Sequence, residues 1–181
     1  MPIYSPGSDE IVAQVERVAE KYHQRLVATG LRVDVVEVRP RTDEAGEPME
    51  EHGLKLNGYV CYAGIQILGP KDRGLGRGDC LLHVDAYKWP ELSEATQIAI
   101  LDHELTHLEL VADAEGTVKY DDYGRPKLRM RLHDVHFGWF SEVAKRHKTH
   151  SIEVQQCTQI IMEREEFLPG ITVSATKRKA G

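Results

Sequence analysis

The chain has 181 residues, of which 41% are hydrophobic, and its formal net charge at pH 7 is −6. This length and composition suffice for one hydrophobic core, so we predict a single domain over residues 1–181. The acidic balance argues against nucleic acid as the main partner, because binding to phosphates requires clustered lysine and arginine. No apolar stretch of about 18 residues is present and the first residues lack signal-peptide features, so we expect a cytoplasmic protein with no membrane partner.

The first 80 residues are predicted to be scaffold. Apolar residues recur at helical spacing from Ile11 to Leu26, and a strand is predicted over 31–38, where Pro40 ends it. The chain then continues as an acidic loop at 41–53, short strands at 56–62 and 65–68, and a glycine-rich mobile connection at 69–79. The cysteines, Cys61, Cys80 and Cys157, form no CxxC pair, which indicates reduced thiols and no structural zinc ribbon.

An HExxH motif, HELTH at residues 103–107, lies in a segment with helical hydrophobic spacing. Ser93 is positioned to cap the start of this predicted helix, and Gly116 to close its end. On a helix, residues i and i+4 share a face, so His103 and His107 can bind one zinc ion. Glu104 is offset by roughly 100° around the helix and can act as general base toward a water on that ion.

A catalytic zinc site takes three protein ligands, so one more ligand is needed. The metzincin pattern would place it at Asp113, but the glycine that this pattern requires is replaced by Leu110. A glutamate from a following helix, as in thermolysin-like sites, would make Glu142 the ligand. A third alternative is the segment that begins with His133. His136 lies one helical turn further on, so either of these two histidines could bind the metal.

The residues between these candidates predict a change of chain direction. Segments 117–120 and 127–130 flank a six-residue loop, 121–126, and together they are typical of a β-hairpin. Apolar residues then repeat at helical spacing over 132–144, which predicts a second amphipathic helix with His133 at its beginning. Such a helix can cross the HExxH helix and bring His133 toward the metal.

HELTH, followed by a hairpin with the letters GRPKL and then by HDVHF, resembles the SprT-like (Spartan-type) zinc metallopeptidases. The pattern also resembles that of the phage metallopeptidase family. The likeness covers about residues 80–150, expected to be the catalytic core, with 167–181 as a tail. It implies an α+β, zincin-like fold in which a small mixed β-sheet places an edge strand over the HExxH helix, followed by a β-hairpin and a second helix that carries the third zinc ligand. By this analogy the third ligand is His133, while His136 stands where the family usually has an acidic residue.

The resemblance also implies where a substrate would bind. The last strand before the HExxH helix is the sheet edge in zincin-type folds, so an extended peptide is expected to pair with Leu81, Leu82, His83, Val84 and Asp85. Donors to a tetrahedral oxyanion are expected among Tyr120, Tyr123, His83 and His136, and simple alternation also allows His83 to be a surface residue with no role. Carboxylates that orient the ligand histidines are expected among Asp134, Glu109 and Asp113.

We therefore predict a metallopeptidase with one Zn²⁺ ion that hydrolyses peptide or protein substrates as an endopeptidase through a Glu104-activated, zinc-bound water. If the chain is phage-encoded, the expected location is the host cytoplasm. The alternative is a catalytically silent binding protein on a zincin scaffold, which would act on a host factor. A metal-dependent nuclease is disfavoured by the acidic composition. The sequence indicates neither the natural substrate nor the oligomeric state.

Overall fold

The computed structural model describes residues 1–56, 58–133 and 140–167, with side chains through residue 159. In chain order its strands and helices are β1 (Ile3–Pro6), α1 (Asp9–Tyr22), α2 (Gln24–Ala28), β2 (Val33–Arg39), β3 (Lys55–Leu56), β4 (Tyr59–Val60), β5 (Ala63–Ile67), α3 (Pro70–Gly74), β6 (Cys80–Asp85), α4 (Glu94–Thr106), β7 (Leu108–Leu110), β8 (Leu128–Met130), α5 (Ser141–His147) and α6 (Ile152–Phe167). Among the described residues, no helix combines the length and the apolar composition needed to cross a bilayer.

The central sheet has the strand order β1-β2-β6-β5. β2 and β6 are parallel, whereas β1 and β5 pair antiparallel with their neighbours, so the sheet is mixed, as predicted. β6 is an interior strand, because β2 occupies one of its sides and β5 the other. The prediction that residues 81–85 form the sheet edge is therefore wrong. Their almost continuous apolar run is typical of a strand covered on both faces, and the edge nearest the HExxH helix is β5.

The main core lies between one face of this sheet and helices α1 and α4. Alternate residues of β6 face the helices, since side chains on a strand alternate between its two faces. The buried residues of this core include Ile11, Val15, Val18, Cys80, Leu82, Val84, Ile100, Leu101 and Leu105. Leu82, Leu101 and Leu105 are fully buried, and each contributes roughly 1.5–3 kcal/mol through the removal of its side chain from water.

Helix α4 carries the HExxH motif and is shorter than predicted. Ser93 caps its start, where the Ser93 hydroxyl accepts a hydrogen bond of 3.2 Å from the Thr96 amide. The helix ends at Thr106, and the next residues form β7, which pairs antiparallel with β8. The predicted end near Gly116 is therefore wrong. Leu108 fits the helical spacing, but its backbone pairs with Met130, a partner that is distant in sequence and invisible to local periodicity.

Only the tip of the hairpin predicted over residues 117–130 is present, where the Lys127 amide donates to the Lys119 carbonyl at 2.8 Å. Isolated bridges join Ala112 to Val118 and Tyr120 to Pro126, and the part at 128–130 pairs with β7. The tip of the hairpin is anchored to the segment before β6, because the Arg73 guanidinium donates to Asp121 Oδ2 at 2.9 Å and to the Pro126 carbonyl at 3.2 Å. Segment 69–79, predicted as a mobile connection, therefore contains a short helix and a buried arginine that hold the hairpin in place.

Candidate metal centre

Three histidines meet at the carboxyl end of α4. His103 and His107 belong to this helix and its cap, and His133 follows β8 in the chain. One ring nitrogen of each lies within 4.8 Å of the other two, and the Nε2 atoms of His103 and His133 are 3.2 Å apart. The structure thus brings together the three residues that the sequence predicts as metal ligands.

His133 reaches this position from an extended segment. The Arg131 amide donates to the His107 carbonyl at 2.7 Å, which continues the β7–β8 pairing by one more residue. His133 itself lies outside any helix, and α5 begins only at Ser141. The predicted helix over 132–144 is therefore not continuous, since residues 132, 133 and 140 are not helical. Residues 134–139 lie outside the described part of the chain, so a helix that begins directly after His133 stays a prediction. His136 and Asp134 lie outside the described residues.

Phe140 forms an apolar wall against the three imidazoles. Its side chain is fully buried, and its ring centroid lies 4.9, 4.6 and 4.9 Å from those of His103, His107 and His133. The Arg131 guanidinium lies 5.1 Å from the centroid of the same ring. Phe140 therefore packs against all three candidate ligands, which limits the rotation of their rings and excludes water from that side of the site.

The Nδ1 atoms of two of these histidines are held by acceptors. Nδ1 of His103 lies 2.6 Å from Oε1 of Glu153, and Nδ1 of His107 lies 2.8 Å from the Arg131 carbonyl oxygen. An N–H at Nδ1 that donates to such an acceptor leaves Nε2 with a free lone pair, which is the tautomer that a metal ligand requires. Glu153 belongs to α6, is only 2% exposed, and was not predicted from the sequence.

Two carboxylates predicted to orient the ligands bind elsewhere. Glu109 forms a two-pronged ion pair with exposed Arg129, at 2.8 and 2.9 Å. Asp113 accepts hydrogen bonds from the backbone amides of Glu115 and Thr117 in a turn. Both predictions are wrong, because they assumed that the helix continued past His107 and kept these residues near the motif.

Glu104 lies between the metal ligands and the edge strand. Its Oε2 accepts a 3.0 Å hydrogen bond from the Ile65 amide of β5. Burial raises the pKa of Glu104 above its ordinary value, although the His103 charge and the Ile65 amide both oppose this change. A carboxyl group with a raised pKa is a better proton acceptor than an exposed glutamate.

The histidines differ in their affinity for protons. Burial lowers the pKa of His107 to about 4, and the charges of His103, His133 and Arg131 act in the same direction. Burial also opposes protonation of His103, but its hydrogen bond to Glu153 and the charges of nearby carboxylates raise the pKa of His103 overall. His107 is therefore a neutral imidazole near pH 7, as metal binding requires.

Asp102 supports the motif from the buried side of α4. Its fully buried carboxylate accepts hydrogen bonds from His23 at 2.8 Å, from His147 at 2.7 Å and from the Arg146 guanidinium. Burial would raise the pKa of Asp102, but these three donors outweigh it and lower the pKa to about 2. The residue next to His103 is thus tied to the junction of α1 with α2 and to α5.

A cavity of about 240 Å³ opens beside the metal centre. It is lined by Cys61, Tyr62, Ala63, Ala99, Ile100, His103, Glu104, His133, Ile152, Glu153 and Gln156. Burial raises the pKa of the Cys61 thiol to about 11, and the Glu104 charge adds to this effect. A larger open groove of about 950 Å³ runs between 21–26 and β7, but Glu104 and the three histidines do not line it.

The predicted oxyanion donors do not reach this cavity. Tyr120 is exposed at the hairpin, and the Tyr123 hydroxyl packs close to Gly74 at the hairpin tip. His83 alternates with the core-facing residues Leu82 and Val84, so it lies on the face of the sheet opposite α4. The structure therefore gives no support to Tyr120, Tyr123 or His83 as oxyanion donors at this cavity, and the position of His83 agrees with a residue that has no role there. His136 stays a prediction.

Sequence reasoning missed Ile65, Asp102, Phe140 and Glu153. The sequence contained a weak indication for Asp102, because a charged residue next to Leu101 in the apolar stripe of a helix requires a partner if it is buried. It contained none for Glu153, because 50 residues separate it from His103.

One comparison with known proteins identifies relatives of this chain. A family model described as "Putative phage metallopeptidase" matches residues 7–161. No curated protein and no solved structure matches the chain significantly. The matched range contains His103, Glu104, His107 and His133, as well as Glu153 and the residues around Asp102.

Proposed function

The chain belongs to the phage metallopeptidase family, and from this membership we propose that it is a zinc-dependent endopeptidase of the HExxH, SprT-like kind. The observation that carries this proposal is the convergence of His103, His107 and His133 beside the Glu104 carboxylate. Peptides or proteins are the proposed substrates, and one zinc ion is the proposed cofactor.

The donor set fits zinc. Three imidazole nitrogens that leave one position open are a ligand set used by catalytic zinc sites. Two nitrogens that each lie 2.0–2.1 Å from one tetrahedral zinc are about 3.3–3.4 Å apart. The Nε2 atoms of His103 and His133 are separated by 3.2 Å, close to that value. Glu153 and the Arg131 carbonyl hold the Nδ1 atoms of His103 and His107, which leaves the Nε2 lone pair of each available for a metal.

When bound there, zinc would polarise the peptide carbonyl as a Lewis acid and lower the pKa of a coordinated water to about 7. Glu104 then accepts a proton from the attacking water and delivers it to the nitrogen of the leaving amine. The Ile65 amide holds one oxygen of Glu104, which leaves the other oxygen to carry this proton. Phe140 shields the site from water on one side, and Asp102 and Glu153 fix the helix and the ring of His103.

The Glu104→Gln variant tests the proposed base. Glutamine preserves the shape and the hydrogen bond to Ile65 but cannot accept the proton, so the variant should retain zinc while peptide cleavage falls by about 10²–10⁴-fold. Zinc content is measured by elemental analysis, and cleavage by mass spectrometry of a digested peptide mixture. Glu109→Gln is the matched control, because Glu109 is a surface residue of the same chemistry paired with Arg129.

Two results would contradict the proposal. Undiminished cleavage by Glu104→Gln would remove Glu104 as the base. A zinc-loaded natural protein that cleaves no peptide in the mixture would instead favour the silent binding protein. His133→Ala and His136→Ala, compared for bound zinc, test the third ligand, and we expect only His133→Ala to lose the metal.

A further inference from the structure

The cavity beside Glu104 is lined by two chemically different groups of residues. One group belongs to the metal centre, namely His103, Glu104 and His133. The other group is mainly apolar and comes from three parts of the chain, namely Tyr62 and Ala63 where β5 begins, Ala99 and Ile100 of α4, and Ile152 of α6. A chain bound with its scissile bond at Glu104 therefore has an apolar wall beside it.

The dimensions of this cavity suit one side chain. Its volume of about 240 Å³ lies below the 300–1,000 Å³ range typical of sites for whole small molecules. Two of the residues that line it from α4 are buried, since Ala99 is 1% exposed and Ile100 5% exposed. Ala99 lies four residues before His103, so its methyl group shares a helix face with that imidazole. Ala99 is one of the residues that line the cavity, so a larger side chain at this position would occupy part of its volume.

The charges around the cavity select against acidic groups. Among the described residues that line it, none is lysine or arginine, whereas Glu104 and Glu153 both carry carboxyl groups. Glu153 is already engaged by His103, so it is not available to pair with a basic side chain. An acidic side chain placed here would lose its hydration beside two carboxyl groups, whereas an apolar one would gain from burial.

We propose that this cavity is a specificity pocket that receives an apolar side chain, of the size of valine, leucine or methionine, from a residue flanking the scissile bond. This inference rests on the proposed peptidase function. It assigns Ala99 and Ile152 as the residues that set the size of the accepted side chain.

The first test uses the zinc-loaded natural protein and a peptide mixture in which every position varies. Cleaved bonds should be enriched in apolar residues at one of the two flanking positions, with kcat/KM at least about tenfold higher for leucine than for aspartate or serine. Cleavage without such a preference would overturn this inference and leave the proposed function intact. Absence of any cleavage would overturn the proposed function and this inference with it.

The second test changes the shape of the pocket. Ile152→Ala enlarges it and should shift the preference at the same position toward phenylalanine, whereas Ala99→Val narrows it and should shift the preference toward alanine. Val154→Ala is the matched control, because Val154 lies on the same helix but does not line the cavity. Melting temperature and zinc content identify variants that remain folded and loaded. An unchanged preference in the folded pocket variants would overturn the inference.

A binding measurement gives a readout that does not depend on turnover. Peptides that carry leucine or aspartate at the selected position are titrated into zinc-loaded Glu104→Gln by calorimetry. The leucine peptide should bind at least about tenfold more tightly, since burial of its side chain is favourable and burial of a carboxylate is not. Equal affinities would contradict the proposed pocket.

Discussion

Glu153 should control the affinity of the site for zinc although it does not touch the metal position. Its buried carboxylate lies 2.6 Å from Nδ1 of His103, which fixes both the tautomer and the orientation of that ring. Two variants change this contact. Glu153→Gln keeps an acceptor for the Nδ1 proton of His103 but removes the negative charge, whereas Glu153→Ala removes both the acceptor and the charge.

The magnitude follows from the type of contact. Loss of an outer partner of a metal-bound histidine typically weakens metal affinity 10–100-fold, which corresponds to about 1.4–2.7 kcal/mol. A hydrogen bond to a charged acceptor is roughly twice as strong as one between neutral groups. Glu153→Gln should therefore lie near the tenfold end, and Glu153→Ala near the hundredfold end.

Competition with a chelator of known affinity measures this effect. The titration is performed at pH 8, where protons compete less with zinc for His103. Glu109→Gln is the control, because Glu109 pairs with Arg129 at the surface and its loss should leave zinc affinity unchanged. If both Glu153 variants are folded and bind zinc as tightly as the natural protein, Glu153 does not orient the ligand.

Three further predictions concern stability and reactivity. Because the folded-state pKa of Asp102 is lowered from 3.8 to about 2, its carboxylate stabilises the fold by about 2 kcal/mol above pH 4 and loses this contribution as the pH falls toward 2. Asp102→Asn should therefore reduce the free energy of unfolding measured with urea at pH 7. It should also make this free energy fall less steeply as the pH is lowered. Equal stability of the variant and the natural protein at pH 7 would contradict this prediction. Phe140→Ala should cost about 3–5 kcal/mol of unfolding free energy, since Phe140 is fully buried against the three histidines, and an unchanged denaturation midpoint would refute its packing role. Cys80 is fully buried and its pKa is raised to about 12, so about one thiol in 10⁴ is ionised at pH 8. Iodoacetamide should therefore modify Cys80 only after the protein unfolds. Rapid labelling of Cys80 in the native protein would contradict this prediction.

The parts of the site that the sequence predicts are those set by local geometry. The four-residue spacing of His103 and His107 places both on one helix face whatever the rest of the fold does. The tip of the hairpin at 117–130 was also predictable, because two β-prone segments flank a loop rich in Asp, Gly and Pro. The assignment of His133 as the third ligand came from resemblance to a family, because its local pattern only placed it at the start of a predicted helix and left His136 as an alternative.

The parts that could not be predicted depend on pairing between distant segments. Leu108 fits a helix by spacing, but the partner strand at 128–130 is about 20 residues away, and its pairing ends α4 early. The interior position of β6 likewise depends on β2 and β5, which local alternation does not reveal. Glu153 becomes a partner of His103 only after α6 has packed against α4, so no sequence motif could mark it.

The residues that orient the metal centre define the smallest fragment of the chain that could retain a working site. His23, between α1 and α2, is hydrogen-bonded to Asp102, while Glu153, on α6, is hydrogen-bonded to His103. A recombinant fragment limited to residues 80–150 would keep every candidate ligand and the base, but it would lack both His23 and Glu153. Truncation experiments should accordingly retain the whole span from His23 to Glu153.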